Sequence, residues 1–277
     1  MSINKAKIIA TLGPASANYE TMSKMVDAGV NVFRINFSHS DHKNAEEIVK
    51  IVRKINKEKD ANIAVLGDLQ GPKLRVGDVE DGAELKAGDI LTFTNKKVKG
   101  SAKEVFMTYQ QFASDVRVGD RILIDDGKLL LETTHSNGID KVKAKVIQGG
   151  PLKSKKGVNL PNTRISLPCL TDKDLADLEV AMRLKIEWIG LSFVRNPNDV
   201  RQLKDIIAKN NAPCHVISKI EKPEAVVEID EIIELSDGIM VARGDLGVAV
   251  PMQGVPLIQK MIVNKCHRYS KPVVIAT

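Results

Sequence analysis

Aromatic side chains are scarce in this 277-residue chain, which holds six Phe, three Tyr and one Trp. Proteins that grip nucleic acid usually interleave aromatic platforms with a clustered basic patch. With so few rings, the formal charge of +6 implies either a mildly basic surface or affinity for small polyanions such as nucleotides. Nucleic acid is therefore not an expected partner. No stretch approaches the roughly 18 uninterrupted apolar residues of a membrane span, so a membrane is not expected either. The opening MSINKAKIIATLG has neither the apolar core nor the cleavage site of a signal peptide. Cysteine is nearly absent: Cys169, Cys214 and Cys266 are scattered and odd in number. They fit neither a disulfide framework nor a metal cluster, and the cytoplasm is the expected compartment. Internal repeats and low-complexity segments are also missing.

What is present is alternation. Short β-type runs take turns with amphipathic helical stretches, the pattern of an α/β fold with a parallel sheet. Strands are predicted over 6–12, 30–37 and 62–69, with helices over 19–28 and from the N-cap Asp41 to residue 59. Between 71 and 167 the texture changes to short strands, Lys-rich edges and hairpin punctuation such as Val76-Gly77-Asp78 and Asp126-Gly127. That reads as a small β domain, barrel-like, inserted after the third strand. Alternation then resumes with a helix capped by Thr171, strands over 188–194, 215–220, 238–242 and 272–276, and helices over 197–209, 223–235 and 255–269. The expected domains are 1–70 and 168–277, forming seven strands of an eight-stranded TIM-type β/α barrel, and 71–167 as the insertion. A doubly wound open sheet is the alternative, but Thr11-Leu12-Gly13-Pro14 is not its dinucleotide turn.

In a barrel, side chains just past the carboxyl ends of the strands converge on one mouth. Those positions hold Arg34, Asn36, Ser38, His39, Asp68, Lys219, Glu221, Arg243, Gly244, Asp245 and Thr277. Singly, each has an ordinary reading: Asp68 or Asp245 as a helix cap, Arg34 as a structural ion pair. Their shared origin at strand ends argues for a site. Lys219 and Glu221 stand two apart on one strand and so face the same way. Glu221 with Asp245 would supply two hard oxygen ligands, which suits Mg²⁺. The neighbouring Lys and Arg suit a phosphate or a developing enolate.

Five blocks carry a resemblance: Thr11-Leu12-Gly13-Pro14-Ala15-Ser16, Arg34-Ile35-Asn36-Phe37-Ser38-His39-Ser40, Lys156-Gly157-Val158-Asn159-Leu160-Pro161, Ile217-Ser218-Lys219-Ile220-Glu221, and Asp237 to Gly247. In this order they closely resemble the pyruvate kinase family, from end to end of the chain. The resemblance implies a phosphotransferase of glycolysis that moves a phosphoryl group from phosphoenolpyruvate to ADP, giving pyruvate and ATP. It implies Mg²⁺ on Glu221 and Asp245. Lys219 and Arg34 would meet the phosphoryl group, and the amides at Gly244 and Asp245, with the Thr277 hydroxyl, would hold the substrate carboxylate. Lys156, Arg75 and His39 would lie on the nucleotide side. Asn36, Ser38, Asp68 and the Leu69 carbonyl match the family's monovalent-cation pocket, where many members place Glu at the position of Lys73. An ammonium there would replace K⁺, so K⁺ is not an expected requirement.

Family members run on past Thr277 through an eighth strand and a further domain. The expectation is therefore a fragment with little activity alone, from an enzyme that is a homo-oligomer when intact. Two competing readings are a Mg²⁺-dependent barrel aldolase or carboxylyase and a catalytically silent binding fragment. Lys153, Lys155 and Lys156 on the insertion favour the nucleotide-using enzyme over the first.

Overall fold

The computed structural model describes residues 6–277. The chain begins with β1 (Ile8–Thr11), α1 (Tyr19–Asp27), β2 (Val30–Asn36), α2 (His42–Lys59) and β3 (Ala64–Asp68). Helix α1 starts where the Asn18 side chain accepts from the Thr21 amide, and α2 where Asp41 accepts from the Asn44 amide. Each cap satisfies a donor that the helix itself leaves open. On α2 the buried positions Ala45, Ile48, Val49, Val52 and Ile55 follow helical spacing, so one stripe packs on the sheet.

After β3 the chain leaves the sheet for about a hundred residues. It forms β4 (Glu84–Leu85), β5 (Ile90–Thr94), β6 (Glu104–Phe106), α3 (Phe112–Asp115), β7 (Arg121–Ile124), β8 (Leu129–Ser136), β9 (Lys141–Gln148), β10 (Gly150–Pro151) and β11 (Val158–Asn159). Six of these strands make one sheet in the order β11-β7-β8-β9-β5-β6, while β10 pairs with β4. Isolated bridges from Arg75 to Gly157 and from Val76 to Met107 draw the two edges of that sheet towards each other. Strict alternation along β9 turns Val142, Ala144 and Val146 inward. The insertion has its own core, from Leu74 to Leu160, built on Phe93, Leu91, Tyr109 and Ile122.

The return passes through α4 (Asp172–Arg183), β12 (Trp188–Leu191), α5 (Pro197–Lys209), β13 (His215–Ile220), α6 (Pro223–Val227) and α7 (Ile229–Leu235). It finishes with β14 (Gly238–Ala242), α8 (Arg243–Ala249), a 3₁₀ turn (Met252–Gly254), α9 (Val255–Arg268) and β15 (Val273–Ala276). All seven strands of the main sheet are parallel, ordered β1-β2-β3-β12-β13-β14-β15. Strand β12 sits directly beside β3, so the insertion leaves and rejoins without disturbing the sheet. The helices cover one face over the main core, and the other face carries a smaller cluster around Leu66, Ile217 and Met240.

Three details differ from the sequence reading. The strand expected over 188–194 stops at Leu191, because Phe193 takes a left-handed backbone with φ 55°. The single helix expected over 223–235 is two, α6 and α7, parted at Glu228 within a β-branched stretch of low helix propensity. Helix α8, not among the helices read from periodicity although the resemblance implies a helix N-terminus at Gly244 and Asp245, follows β14 without a loop, despite its two glycines.

Candidate active site

Asp68 ends β3 with a side chain only 2% exposed. Its Oδ2 accepts from Arg34 Nε at 2.8 Å and from the Arg34 Nη2 group, and its Oδ1 lies 3.1 Å from Lys219 Nζ. Room for this carboxylate comes from Gly190 on the adjacent strand, where a Cβ would stand 2.9 Å from Asp68 Oδ1. Lys219 is 8% exposed and bridges three strands: besides Asp68 it meets Glu221 Oε1 at 3.0 Å and Ser192 Oγ at 2.7 Å. Burial works to lower the Lys219 pKa, but the Glu221 and Asp68 carboxylates outweigh it and hold the ammonium above the ordinary lysine value. Its charge at neutral pH is therefore secure.

Glu221 is 2% exposed, and its Oε2 accepts from the Phe193 amide at 2.9 Å. The left-handed turn at Phe193 aims that amide at the carboxylate. Burial pushes the Glu221 carboxyl above the ordinary range; Lys219 opposes this and the Asp245 charge adds to it. Asp245 lies in the first turn of α8 and is exposed. Burial and the Asp245 charge together raise the proton affinity of Glu221, and a cation at the pair would relieve both. Among the described residues no cluster of three or more His, Cys, Asp or Glu ligands occurs. The pair therefore suits a hard ion completed by water and substrate oxygens. Beside them, a Cβ on Gly244 would lie 3.4 Å from the Thr277 carbonyl oxygen, and Arg243 Nε donates to the Ala276 carbonyl at 2.8 Å. The ends of β14 and β15 thus share one corner.

Of the residues matched to a monovalent-cation pocket, Asn36, Asp68 and Leu69 already accept hydrogen bonds within the protein. Asn36 pairs with Asp68 in register, and its Oδ1 accepts from the Ser38 amide at 3.0 Å. The Leu69 carbonyl accepts from Ser192 Oγ at 2.7 Å. Lys73 is exposed and lines a cleft with Lys222 and Asp245; no hydrogen bond or ion pair joins it to Asn36, Ser38 or Asp68. His39 is exposed just past β2. In the insertion, Lys156 Nζ is 2.9 Å from Asp125 Oδ1, and Arg75 Nη1 reaches the Lys155 carbonyl at 3.5 Å. Hydrogen bonding from Lys156, and then from Lys128, holds the Asp125 carboxyl below the usual range.

The family described as "Pyruvate kinase, barrel domain" matches residues 3–277. The chain belongs to the pyruvate kinase family. Pyruvate kinases of Staphylococcus aureus strains MRSA252 and USA300 are each 40% identical to it over 277 residues, covering 99% of this chain and 47% of their own. The chain thus spans about half the length of the curated relatives it matches. The crystal structure of a pyruvate kinase from Cryptosporidium parvum superposes with a TM-score of 0.94 at 35% identity, covering 99% of this chain and 57% of that one. The seven-stranded parallel sheet is accordingly the curled α/β sheet of a pyruvate kinase barrel domain. Family membership sets aside the aldolase or carboxylyase reading.

Ser192 and Thr11 were missing from the sequence-based site. Ser192 Oγ links Lys219 to the Leu69 carbonyl, and Thr11 Oγ1 accepts from Arg34 Nη1 at 3.0 Å. Both lie at strand ends, so extending the same criterion to β1 and β12 would have found them.

Proposed function

We propose that this chain carries the phosphoryl-transfer site of a pyruvate kinase acting on phosphoenolpyruvate and ADP in the cytoplasm. One observation carries the reading: a buried lysine, Lys219, is held between the carboxylates of Asp68, at the carboxyl end of β3, and Glu221, just past that of β13. In the reaction the bond from phosphorus to the enol oxygen breaks and a bond to a terminal ADP oxygen forms. The enolate left behind takes one proton at carbon to become pyruvate. Lys219, fixed and charged, offsets negative charge on the phosphoryl group in flight and then on the enolate oxygen. Arg34, braced by Asp68 and Thr11, orients the phosphoryl group. The Gly244 and Asp245 amides and the Thr277 hydroxyl hold the substrate carboxylate. Mg²⁺, held by Glu221 and Asp245, would supply Lewis-acid charge to the substrate oxygens when bound.

The insertion acts in this reading as a lid, with Lys156, Arg75 and His39 on the nucleotide side. Closure excludes water, which would otherwise compete for the phosphoryl group. Independence of K⁺ is part of the proposal. The close positive charges of Arg34 and Lys219 on Asp68 support it better than Lys73 does, because Lys73 lines the neighbouring cleft. We also place the parent enzyme among homo-oligomers.

Calorimetric titration of phosphoenolpyruvate, with and without Mg²⁺, tests the assignment. Binding should require Mg²⁺ and fall at least about tenfold, or about 1.4 kcal/mol, in Glu221→Ala and Asp245→Ala. Exchange of Na⁺ for K⁺ at fixed ionic strength should change it little. Metal-independent binding, or binding indifferent to both substitutions, would overturn the roles given to the two carboxylates.

A further inference from the structure

Lys222 has no part in the scheme above, yet its side chain is only 6% exposed. It makes no hydrogen bond and no ion pair among the described residues; its nearest aromatic partner is the Phe193 ring, with the centroid 5.9 Å from Nζ. At that range a cation–π contact is weak. Lys222 also lines the cleft between the sheet and the insertion. Of its lining residues, Phe193, Arg195, Lys222 and Asp245 belong to the segments that carry the parallel sheet, and Lys73, Asp126 and Gly157 to Asn159 to the insertion. Arg195 is already engaged: its Nη1 donates to the Ile165 and Leu167 carbonyls at 2.9 Å, and its Nη2 pairs with Asp199. That leaves two lysines lining one cleft, one from the sheet segments and one from the insertion, without a partner.

A buried ammonium with no contacting anion is unfavourable, so the arrangement makes sense if an anion arrives. Glu224, Glu221 and Asp245 act on Lys222 only at a distance, Asp245 is assigned to the metal, and Asp126, which pairs with neither lysine, does not alone balance two of them. A polyphosphate does, and Asp245 at the same cleft is a proposed ligand of the metal that would accompany it. We propose that Lys222 is a nucleotide-binding residue whose ammonium contacts a phosphate oxygen of the bound nucleoside diphosphate, with Lys73 lining the same cleft. The inference rests on the phosphoryl-transfer reading above. The free volume of the cleft, about 50 Å³, holds only a few waters. The diphosphate therefore enters while the insertion stands further from the sheet, and Lys222 meets it as the walls approach.

The test titrates ADP, inorganic tripolyphosphate and phosphoenolpyruvate separately into the 277-residue chain in Mg²⁺. It uses the unmodified chain, Lys222→Met, which keeps the buried stem, and Lys222→Arg, which keeps the charge. We expect Lys222→Met to weaken ADP and tripolyphosphate by about tenfold to a hundredfold, with phosphoenolpyruvate within about twofold and Lys222→Arg close to the unmodified chain. The Met variant should also melt at the same or a higher temperature, because an unpaired buried charge is gone. Undiminished polyphosphate binding by the Met variant overturns the inference, as does equal loss of phosphoenolpyruvate or no polyphosphate binding by the unmodified chain. Reproduction of the loss by Asp126→Asn would instead assign Lys222 to a contact between the walls. Failure of the underlying reading shows separately, as phosphoenolpyruvate binding that does not depend on Mg²⁺, and the tripolyphosphate comparison still decides Lys222.

Discussion

Asp68 shows how much one side chain carries. Its buried carboxylate answers both Arg34 and Lys219, while the bare Gly190 beside it keeps the space open. Removing the carboxylate leaves two cations facing each other in a poorly solvated corner. Asp68→Ala should therefore lower unfolding free energy by about 3–5 kcal/mol, measured by urea denaturation, as well as weaken phosphoenolpyruvate binding. A loss below about 1 kcal/mol would mean that water replaces the carboxylate at little cost.

At the scale of elements, the short helix α3 is fastened to the chain that leads back to the sheet. Asp115, its last residue, accepts from the Tyr109 hydroxyl and from the Ser166 amide, the latter at 2.8 Å. Burial alone would raise the Asp115 pKa, but these hydrogen bonds outweigh it and hold the carboxyl below the ordinary aspartate value. A lowered folded-state pKa gives stability that is fully present above the unfolded value of about 3.9 and is lost as pH falls through the folded value. The thermal midpoint of the insertion should drop as pH is lowered below about 4, and Asp115→Asn should flatten that drop. Parallel curves for both proteins would place the acid sensitivity elsewhere. A similar fastening holds the entry to the insertion. The Gly71 amide donates to Asp174 Oδ1 at 3.0 Å, and Gly71 has φ 67° with the Phe193 ring where a Cβ would go. Only glycine meets both demands without strain.

For the whole molecule, the main core and the core of the insertion share no residue. Segments with separate cores unfold as separate cooperative units unless their contact is extensive. Urea unfolding should accordingly show two transitions. Saturating phosphoenolpyruvate with Mg²⁺ at about a hundred times its dissociation constant should stabilise the barrel transition by about 2.7 kcal/mol and leave the other nearly unmoved. A single transition shifted as one by ligand would show that the two cores behave as one body.

The order of elements was legible in the sequence because it is written in local periodicity. Alternating strands and helices, the caps Asp41 and Thr171, and the Gly-Asp turns of the insertion depend on neighbours close along the chain. Most of the site was legible for a related reason: strand ends in a parallel sheet point to one mouth, so polar residues there identify themselves. Tertiary structure alone decided the contacts. Ser192 bridges to Lys219, Phe193 turns its amide onto Glu221, and Lys73 shares a cleft with Lys222 rather than sitting at Asp68. Each such contact joins residues between about twenty-five and one hundred and fifty positions apart in the chain, and no local pattern specifies such a pairing. It follows from the curl of the sheet and from where the insertion comes to rest.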